Sequence, residues 1–329
     1  MVRLLLAPAV AKLSGADLAA IADRTGVPIE PAVFVDDESV PAELDQIEIA
    51  YASPDLFTEI DAAWRFFDLL DASPNLRWAH LGFAGIDHPR FGAMLERGVR
   101  LSNSPGAAAE PIAHTAMAGL LSLARRLPFY APRQREHVWQ RLPTEAIAPD
   151  LSRQTLVIYG LGAIGSELAR LARAFGLHVI GVRRSPPQPE DTADEIVHPD
   201  QLDEVLHRAD WLTVTANLTT ETRGAINAQR LALLPPGAHV INVARGPIIE
   251  QGALIERLQS GAIAGAYLDV VEVEPLPADS PLWDLPNVIL TPHASWAAHG
   301  NPDWARAIFL SNLESWLTDE TLSTEVRER

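Results

Sequence analysis

The sequence predicts an α/β protein with two doubly wound parallel sheets, and three observations carry that prediction. Short apolar runs alternate with helical patterns along most of the 329 residues, as they do in strand–helix units that pair in parallel. A complete G-x-G-x-x-G, formed by Gly160, Gly162 and Gly165, stands between one such run and one such helix. The chain before residue 103 follows the same plan without the glycines, and the length suits two domains of roughly 100–200 residues each.

In chain order, strand patterns fall at 3–7, 47–52 and 77–83, and helical patterns at 16–24, 58–70 and 89–97. Asn103-Ser104-Pro105-Gly106 is a strong turn signal. The helical pattern at 108–126, stopped by Pro128, is apolar on most faces, which predicts burial in a core or against a second subunit. Residues 130–152 have weak periodicity and predict an irregular excursion. Sharper strand patterns follow at 156–159, 179–182, 211–214, 239–243, 266–270 and 288–290, with helices between most of them. Residues 304–318 read as an amphipathic helix. The expected division is one domain at 1–102 plus 293–329 and a second, 103–292, inserted into it.

The glycine segment has a mechanism. Gly160 permits a tight turn, Gly162 lets a pyrophosphate approach the backbone, and Gly165 lets the helix pack close to the strand. The helix start, with Ala163 and Ile164, offers free N–H groups and a positive dipole end to phosphate. A chain that binds NAD carries Asp or Glu about 20 residues on, accepting from the ribose 2′-hydroxyl. Here the second strand ends at Val182, and Arg183 takes the acid's place, followed by Arg184 and Ser185. Two guanidinium groups and a hydroxyl suit a 2′-phosphate, which a carboxylate would repel. The expected cofactor is therefore NADP(H) in preference to NAD(H). The alternative is that Arg183 and Arg184 are ordinary exposed arginines.

Composition narrows the function classes. A net charge of −17, spread along the chain, argues against nucleic acid or anionic membranes as partners. No apolar run approaches the ~18 residues of a membrane span. The opening MVRLLLAPAV lacks a full signal-peptide core and cleavage site, so it reads as a first strand and a cytoplasmic location is expected. Without cysteine there is no disulfide, thiolate nucleophile or Cys-ligated zinc, and no metal site is expected. The only lysine, Lys12, is far from any motif, so P-loop and Schiff-base chemistry fall away.

Four further motifs stand at or just past predicted strand ends, where ligands of open α/β sheets bind. They are Ile241-Asn242-Val243-Ala244-Arg245-Gly246-Pro247, Leu268-Asp269-Val270-Val271-Glu272-Val273-Glu274-Pro275, Leu290-Thr291-Pro292-His293 and Leu81-Gly82-Phe83-Ala84-Gly85-Ile86-Asp87. In the first, a tight turn is expected to project the Arg245 guanidinium.

Together with the glycine loop, these residues resemble the D-isomer-specific 2-hydroxyacid dehydrogenase family. The Arg183-Arg184-Ser185 ending resembles its glyoxylate/hydroxypyruvate reductase branch. The resemblance covers nearly the whole chain and is strongest from 155 to 293. It implies a Rossmann dinucleotide-binding domain inserted into a flavodoxin-like substrate domain, with the site in the cleft and two crossings as the hinge. With the helix at 108–126, it also implies a homodimer.

The resemblance gives each residue a role that makes chemical sense. His293 would be the acid/base, since imidazole titrates near neutrality and can run the reaction either way. Glu274 would sit on its other ring nitrogen, fixing the tautomer and favouring the protonated ring. Arg245 would clamp a 2-oxo acid with its planar fork. The backbone of Phe83-Ala84-Gly85 would offer N–H groups to the substrate carboxylate. Asp269 would accept from the nicotinamide carboxamide, and Asn217, Thr222 and Ala244 would line the cofactor.

Alternatives stand beside these roles. Glu272 could replace Glu274, although the Pro-Leu-Pro after Glu274 favours the latter; His299 is the alternative to His293. His114 reads as a core or interface residue, and His80, His178, His198, His207 and His239 carry no motif. Three positions depart from the family pattern. Ala294-Ser295-Trp296 follows the histidine where small residues are usual, so Trp296 is expected to wall the substrate pocket. Asn217 stands where Pro is common, and Ala113 where Glu is.

The expected activity is NADP(H)-dependent reduction of a short 2-oxo acid, glyoxylate or hydroxypyruvate first, to the D-2-hydroxy acid. Two rivals remain. Another oxidoreductase on this fold is one: Glu274 argues against formate dehydrogenase relatives, which carry Gln there, while phosphite oxidation keeps the triad. A dinucleotide-sensing corepressor, as in the C-terminal-binding-protein relatives, is the other.

Overall fold

The structure, a computed structural model, describes residues 1–35 and 44–326. The chain divides into two compact units, residues 1–108 with 298–329, and residues 109–297.

In the first unit, β1 (Val2–Leu6), β2 (Ile29–Val33), β3 (Ile49–Ala52), β4 (Trp78–Leu81) and β5 (Arg100–Asn103) form a parallel sheet. Its order, β2-β1-β3-β4-β5, is the flavodoxin-like doubly wound one. The apolar run Leu4-Leu5-Leu6 is fully buried, with Tyr51, Trp78, Phe66, Phe67 and Phe309 around it. Two strands carried no readable pattern. β2 contains Pro31 and is tolerated because it is an edge strand; β5 is a four-residue strand of mixed polarity, Arg-Leu-Ser-Asn. The first helix, Pro8–Thr25, starts earlier than the pattern at 16–24, because Pro8 suits a first turn. His80 is buried between the Ser102 and Ser104 hydroxyls, at 2.7 and 3.0 Å, and burial pushes its pKa down to about 3.

The second unit holds seven parallel strands: β6 (Thr155–Tyr159), β7 (His178–Val182), β8 (Glu195–Val197), β9 (Trp211–Val214), β10 (Ala238–Asn242), β11 (Ile263–Leu268) and β12 (Val288–Leu290). Their order is β12-β11-β10-β9-β6-β7-β8. Progression reverses between β6 and β9, the switch point at which such sheets bind ligands. β8, a short edge strand of three half-buried residues, was not apparent from sequence.

The helix Ala109–Ala124 lays Ala113, Ala116, Met117, Leu120 and Leu123 on this sheet. Gly119 lets it come close, since a Cβ there would lie 2.5 Å from the Tyr267 ring. His114 is not in the core: its side chain is half exposed, 3.8 Å from Glu110. Pro128 does more than stop this helix. It occupies the first turn of another, Leu127–Arg135, which begins the stretch expected to be irregular.

The inserted unit runs from 109 to 297 rather than 103 to 292. At the second boundary the reason is visible: the N–H groups of His293, Ala294 and Ser295 all bond Asp269, the residue after β11.

Candidate active site and dinucleotide cradle

Strand register assembles the site. Asn242, Leu268 and Leu290 are cross-strand neighbours at the carboxyl ends of β10, β11 and β12. With strands ~4.8 Å apart, the loops leaving those ends lie side by side. One carries Arg245, one Asp269 and Glu274, one His293.

His293 Nδ1 lies 2.8 Å from Glu274 Oε2, while Glu274 Oε1 accepts the Val271 N–H at 3.1 Å. Glu272 has no part in this pair; its backbone N–H bonds Gln251 Oε1. Burial pushes the Glu274 pKa up, but the His293 bond and charge, the Val271 N–H and the Arg245 charge together hold it below the usual carboxylate range. The glutamate is thus an anion, and the ring nitrogen facing it carries the proton, leaving Nε2 for a ligand. The ring is 41% exposed, so a small molecule can reach it.

His293 has φ 51°, a left-handed conformation that costs a non-glycine residue about 1–3 kcal/mol and persists only where surroundings impose it. Asp269 imposes it. Its carbonyl accepts the His293 N–H at 2.8 Å. Its buried carboxylate accepts the Thr291 hydroxyl at 2.6 Å, the Ala294 N–H at 2.9 Å and the Ser295 N–H at 3.1 Å. Tyr267 Oη, 2.7 Å from Thr291 Oγ1, extends the chain. Asp269 therefore organises the acid/base loop, and most of its bonding capacity serves that loop rather than a carboxamide. The Trp296 indole N–H donates to the His293 carbonyl at 2.9 Å, which ties Trp296 to the backbone of His293.

Arg245 is held by its own strand end. The Asn242 side chain donates to the Arg245 carbonyl at 3.0 Å and accepts the Ala244 N–H at 3.1 Å, and Arg245 Nη1 donates to the Ala244 carbonyl at 2.8 Å. Gly246 is required by space rather than by a tight turn. A Cβ there would lie 1.9 Å from the carbonyl carbon and oxygen of Val271. That contact brings the Glu274 loop against the Arg245 loop. In the sequence Asn242 has no legible part, and Gly246 reads only as a turn residue. A buried Asn closing an apolar strand was the one available signal.

The glycine turn fits its expected chemistry. Gly160 has φ 109°, and a Cβ there would lie 2.4 Å from the Ala216 nitrogen; one on Gly165 would lie 2.4 Å from the Gly160 carbonyl. Gly162 faces open space, and the helix Ala163–Ala174 has no side-chain cap. Its first N–H groups, those of Ala163, Ile164 and Gly165, have no acceptor within the helix. This is a cradle shaped for a diphosphate. On the loop after β9, Thr222 turns inward: its hydroxyl donates to the Asn217 carbonyl at 2.6 Å and accepts the Thr219 N–H at 2.7 Å. The Asn217 side chain is exposed.

In the first unit, the segment after β4 presents backbone. The Phe83 ring packs on Phe57, Phe67 and Phe91. The carbonyls of Phe83 and Ala84 accept from Ser104 and Asn103, while the N–H groups of Ala84 and Gly85 make no hydrogen bond among the described residues. Also among the described residues, no group of His, Asp and Glu could hold a metal ion, and no helix is long and apolar enough to cross a membrane.

Known proteins resemble this chain in sequence and in fold. The family model described as D-isomer specific 2-hydroxyacid dehydrogenase, NAD binding domain, matches residues 117–295. The glyoxylate/hydroxypyruvate reductase B of Yersinia pestis (strain Pestoides F) is 37% identical over 253 residues, 76% of this chain and 77% of that one. A D-isomer specific 2-hydroxyacid dehydrogenase from Xanthobacter autotrophicus Py2, solved with NADPH and MES, superposes with a TM-score of 0.74 at 29% identity, over 99% of this chain and 98% of its own. A glyoxylate reductase from Paecilomyes thermophila gives a TM-score of 0.80 at 26% identity, over 99% and 98% of the two chains.

Proposed function

The chain belongs to the D-isomer-specific 2-hydroxyacid dehydrogenases, oxidoreductases with an NAD(P)-binding domain, and we propose that it reduces a short 2-oxo acid to the D-2-hydroxy acid with NADPH. Glyoxylate and hydroxypyruvate are the proposed substrates. The observation that carries the proposal is the His293–Glu274 pair at 2.8 Å, at the same carboxyl end of the sheet as Arg245 and the glycine turn.

The residues divide the reaction among them. Arg245 pairs its fork with the substrate carboxylate and sets the carbonyl in register with the imidazole. Ala84 and Gly85 have backbone N–H groups to offer to a carboxylate. The Glu274 anion stabilises an imidazolium, and His293 delivers the Nε2 proton to the carbonyl oxygen as it becomes a hydroxyl. In the oxidative direction His293 takes that proton back. The dinucleotide, when bound by the 160–165 turn, supplies the hydride that the carbonyl carbon receives. Trp296, held beside His293, favours acids with small side chains over bulky ones.

NADP(H) is preferred over NAD(H) in this reading because arginine, not a carboxylate, follows Val182. The active form is proposed to be a cytoplasmic homodimer joined near 108–126. Exposed apolar side chains just beyond that helix, Leu127, Val138 and a Trp139 that is 99% exposed, support a self-association surface.

The test is consumption of NADPH and of NADH across a panel of 2-oxo acids, with His293→Ala as control. Turnover of short acids that His293→Ala abolishes supports the proposal. Protein that binds NADPH yet consumes none with any short 2-oxo acid sinks the enzyme reading. Equal rates with both cofactors sink the NADP(H) preference alone.

A further inference from the structure

Selecting a 2′-phosphate needs a cation free to receive it, and the two arginines after Val182 differ in that respect. Arg183 is committed to its own loop. Its Nε donates to the Ser185 carbonyl at 3.1 Å and its Nη2 to the Pro186 carbonyl at 2.7 Å, while Nη1 and Nη2 fork onto the Asp191 carboxylate. These four bonds leave one of a guanidinium's five N–H groups unused. The Arg183 side chain is 15% exposed and that of Asp191 11%.

Asp191 is itself fixed. It accepts the Gln188 N–H at 2.6 Å, and that bond together with Arg183 holds its pKa below the usual carboxylate range. Thr192, next along, donates to the Ser166 carbonyl at 2.7 Å, in the first turn of the helix Ala163–Ala174. The segment is therefore tied to the phosphate cradle.

Arg184 has the opposite surroundings. It is exposed and makes no hydrogen bond or ion pair among the described residues, and the same holds for the Ser185 hydroxyl. The glycine turn starts beside this segment: the Gly160 and Leu161 N–H groups donate to the carbonyl of Val182, two residues before Arg184, at 3.0 and 3.1 Å.

We propose that Asp191 divides the work of the two arginines: it holds Arg183 as a brace for the 183–191 loop and leaves Arg184, with the Ser185 hydroxyl, to select a 2′-phosphate. A phosphate approaching Arg183 meets a carboxylate already paired with it in bidentate geometry and is repelled by it. At Arg184 there is nothing to displace. The proposal rests on the NADP(H) reading above.

The test is calorimetric titration of 2′,5′-ADP and 5′-AMP, which differ only in the 2′-phosphate, into the full-length protein and three variants. No turnover is involved. Wild type is expected to favour 2′,5′-ADP. Arg184→Gln should cut that preference by about tenfold or more, the scale of a lost charge-assisted hydrogen bond. Arg183→Gln should weaken both probes together and leave the preference within about twofold, as loss of a loop brace does. Asp191→Asn also removes the carboxylate that repels a phosphate, so it should weaken both probes and keep or raise the preference. Asp191→Asn keeps the size of the side chain but only one acceptor, and it remains readable if Arg183→Gln folds poorly. A preference that vanishes in Arg183→Gln and survives in Arg184→Gln would overturn the proposal. Wild type that binds both probes equally would overturn the cofactor reading instead, and the selecting role of Arg184 with it.

Discussion

The backbone N–H of His293 donates to the carbonyl of Asp269 at 2.8 Å, while the Asp269 carboxylate accepts the next two N–H groups along the chain. One buried side chain thereby fixes the left-handed turn that aims the imidazole at Glu274. Precision in the acid/base pair comes from β11, the strand that also leads to Glu274.

The Thr291 hydroxyl donates to Asp269 and receives from Tyr267. Thr291→Val keeps the side-chain shape but leaves the Tyr267 hydroxyl without an acceptor. A stability loss of about 1–3 kcal/mol is expected in denaturant titration. Turnover should fall while dinucleotide affinity holds, because the glycine turn is untouched. Unchanged kcat would remove Thr291 from the positioning chain.

Gly246→Ala puts a methyl group 1.9 Å from the Val271 carbonyl, and backbone atoms cannot yield as a side-chain tip does. Overpacking of this kind costs about 1–3 kcal/mol, occasionally more. The Arg245 and Glu274 loops should separate, lowering kcat/KM for the 2-oxo acid more than the melting temperature alone accounts for. Wild-type kinetics in a folded Ala variant would contradict the tight contact.

Arg245→Lys retains the charge and loses the fork. One lost charge-assisted hydrogen bond is about 1.5–3 kcal/mol, so kcat/KM for the 2-oxo acid should fall roughly 10–150-fold. Affinity for the dinucleotide should not change. Steady-state kinetics with a dinucleotide titration separates the two effects.

His239 is buried and stacks on Trp211 at 4.2 Å, and neither ring nitrogen has a hydrogen-bond partner among the described residues. Burial, with the Arg126 charge, pushes its pKa down to about 4. As pH falls below about 6.5 the unfolded chain takes up this proton first, so stability drains away until about pH 4. At pH 5 the loss is roughly 2 kcal/mol. His239→Phe keeps the stack and removes both the orphaned nitrogens and the titration. Its melting temperature should equal or exceed that of wild type at pH 7 and fall less steeply between pH 6.5 and 4. An unaltered pH slope would clear His239 of the effect.

Features written in a few consecutive residues were legible from sequence. The strand–glycine–helix segment and the Arg, Glu and His at strand ends needed only local pattern, and register brought them together. What escaped depends on residues that meet only in the fold. Gly246 touches Val271 because two loops from adjacent strands share one space. The loop-holding part of Asp269 emerges only when the N–H groups of 293–295 close on it. Arg183 looks free until Asp191, eight residues on, takes its fork. β2 was hidden by Pro31, which an edge position tolerates and an interior one would not.

β12 is the outermost strand of its sheet and only three residues long, the kind of element that opens first in local fluctuations. The loop that follows it nevertheless hangs from Asp269, at the end of interior strand β11. Fraying of the edge therefore does not release the imidazole. In deuterium exchange the amides of His293, Ala294 and Ser295 should outlast those of β12 itself, and the catalytic dyad should keep its alignment through excursions that unzip the strand next to it.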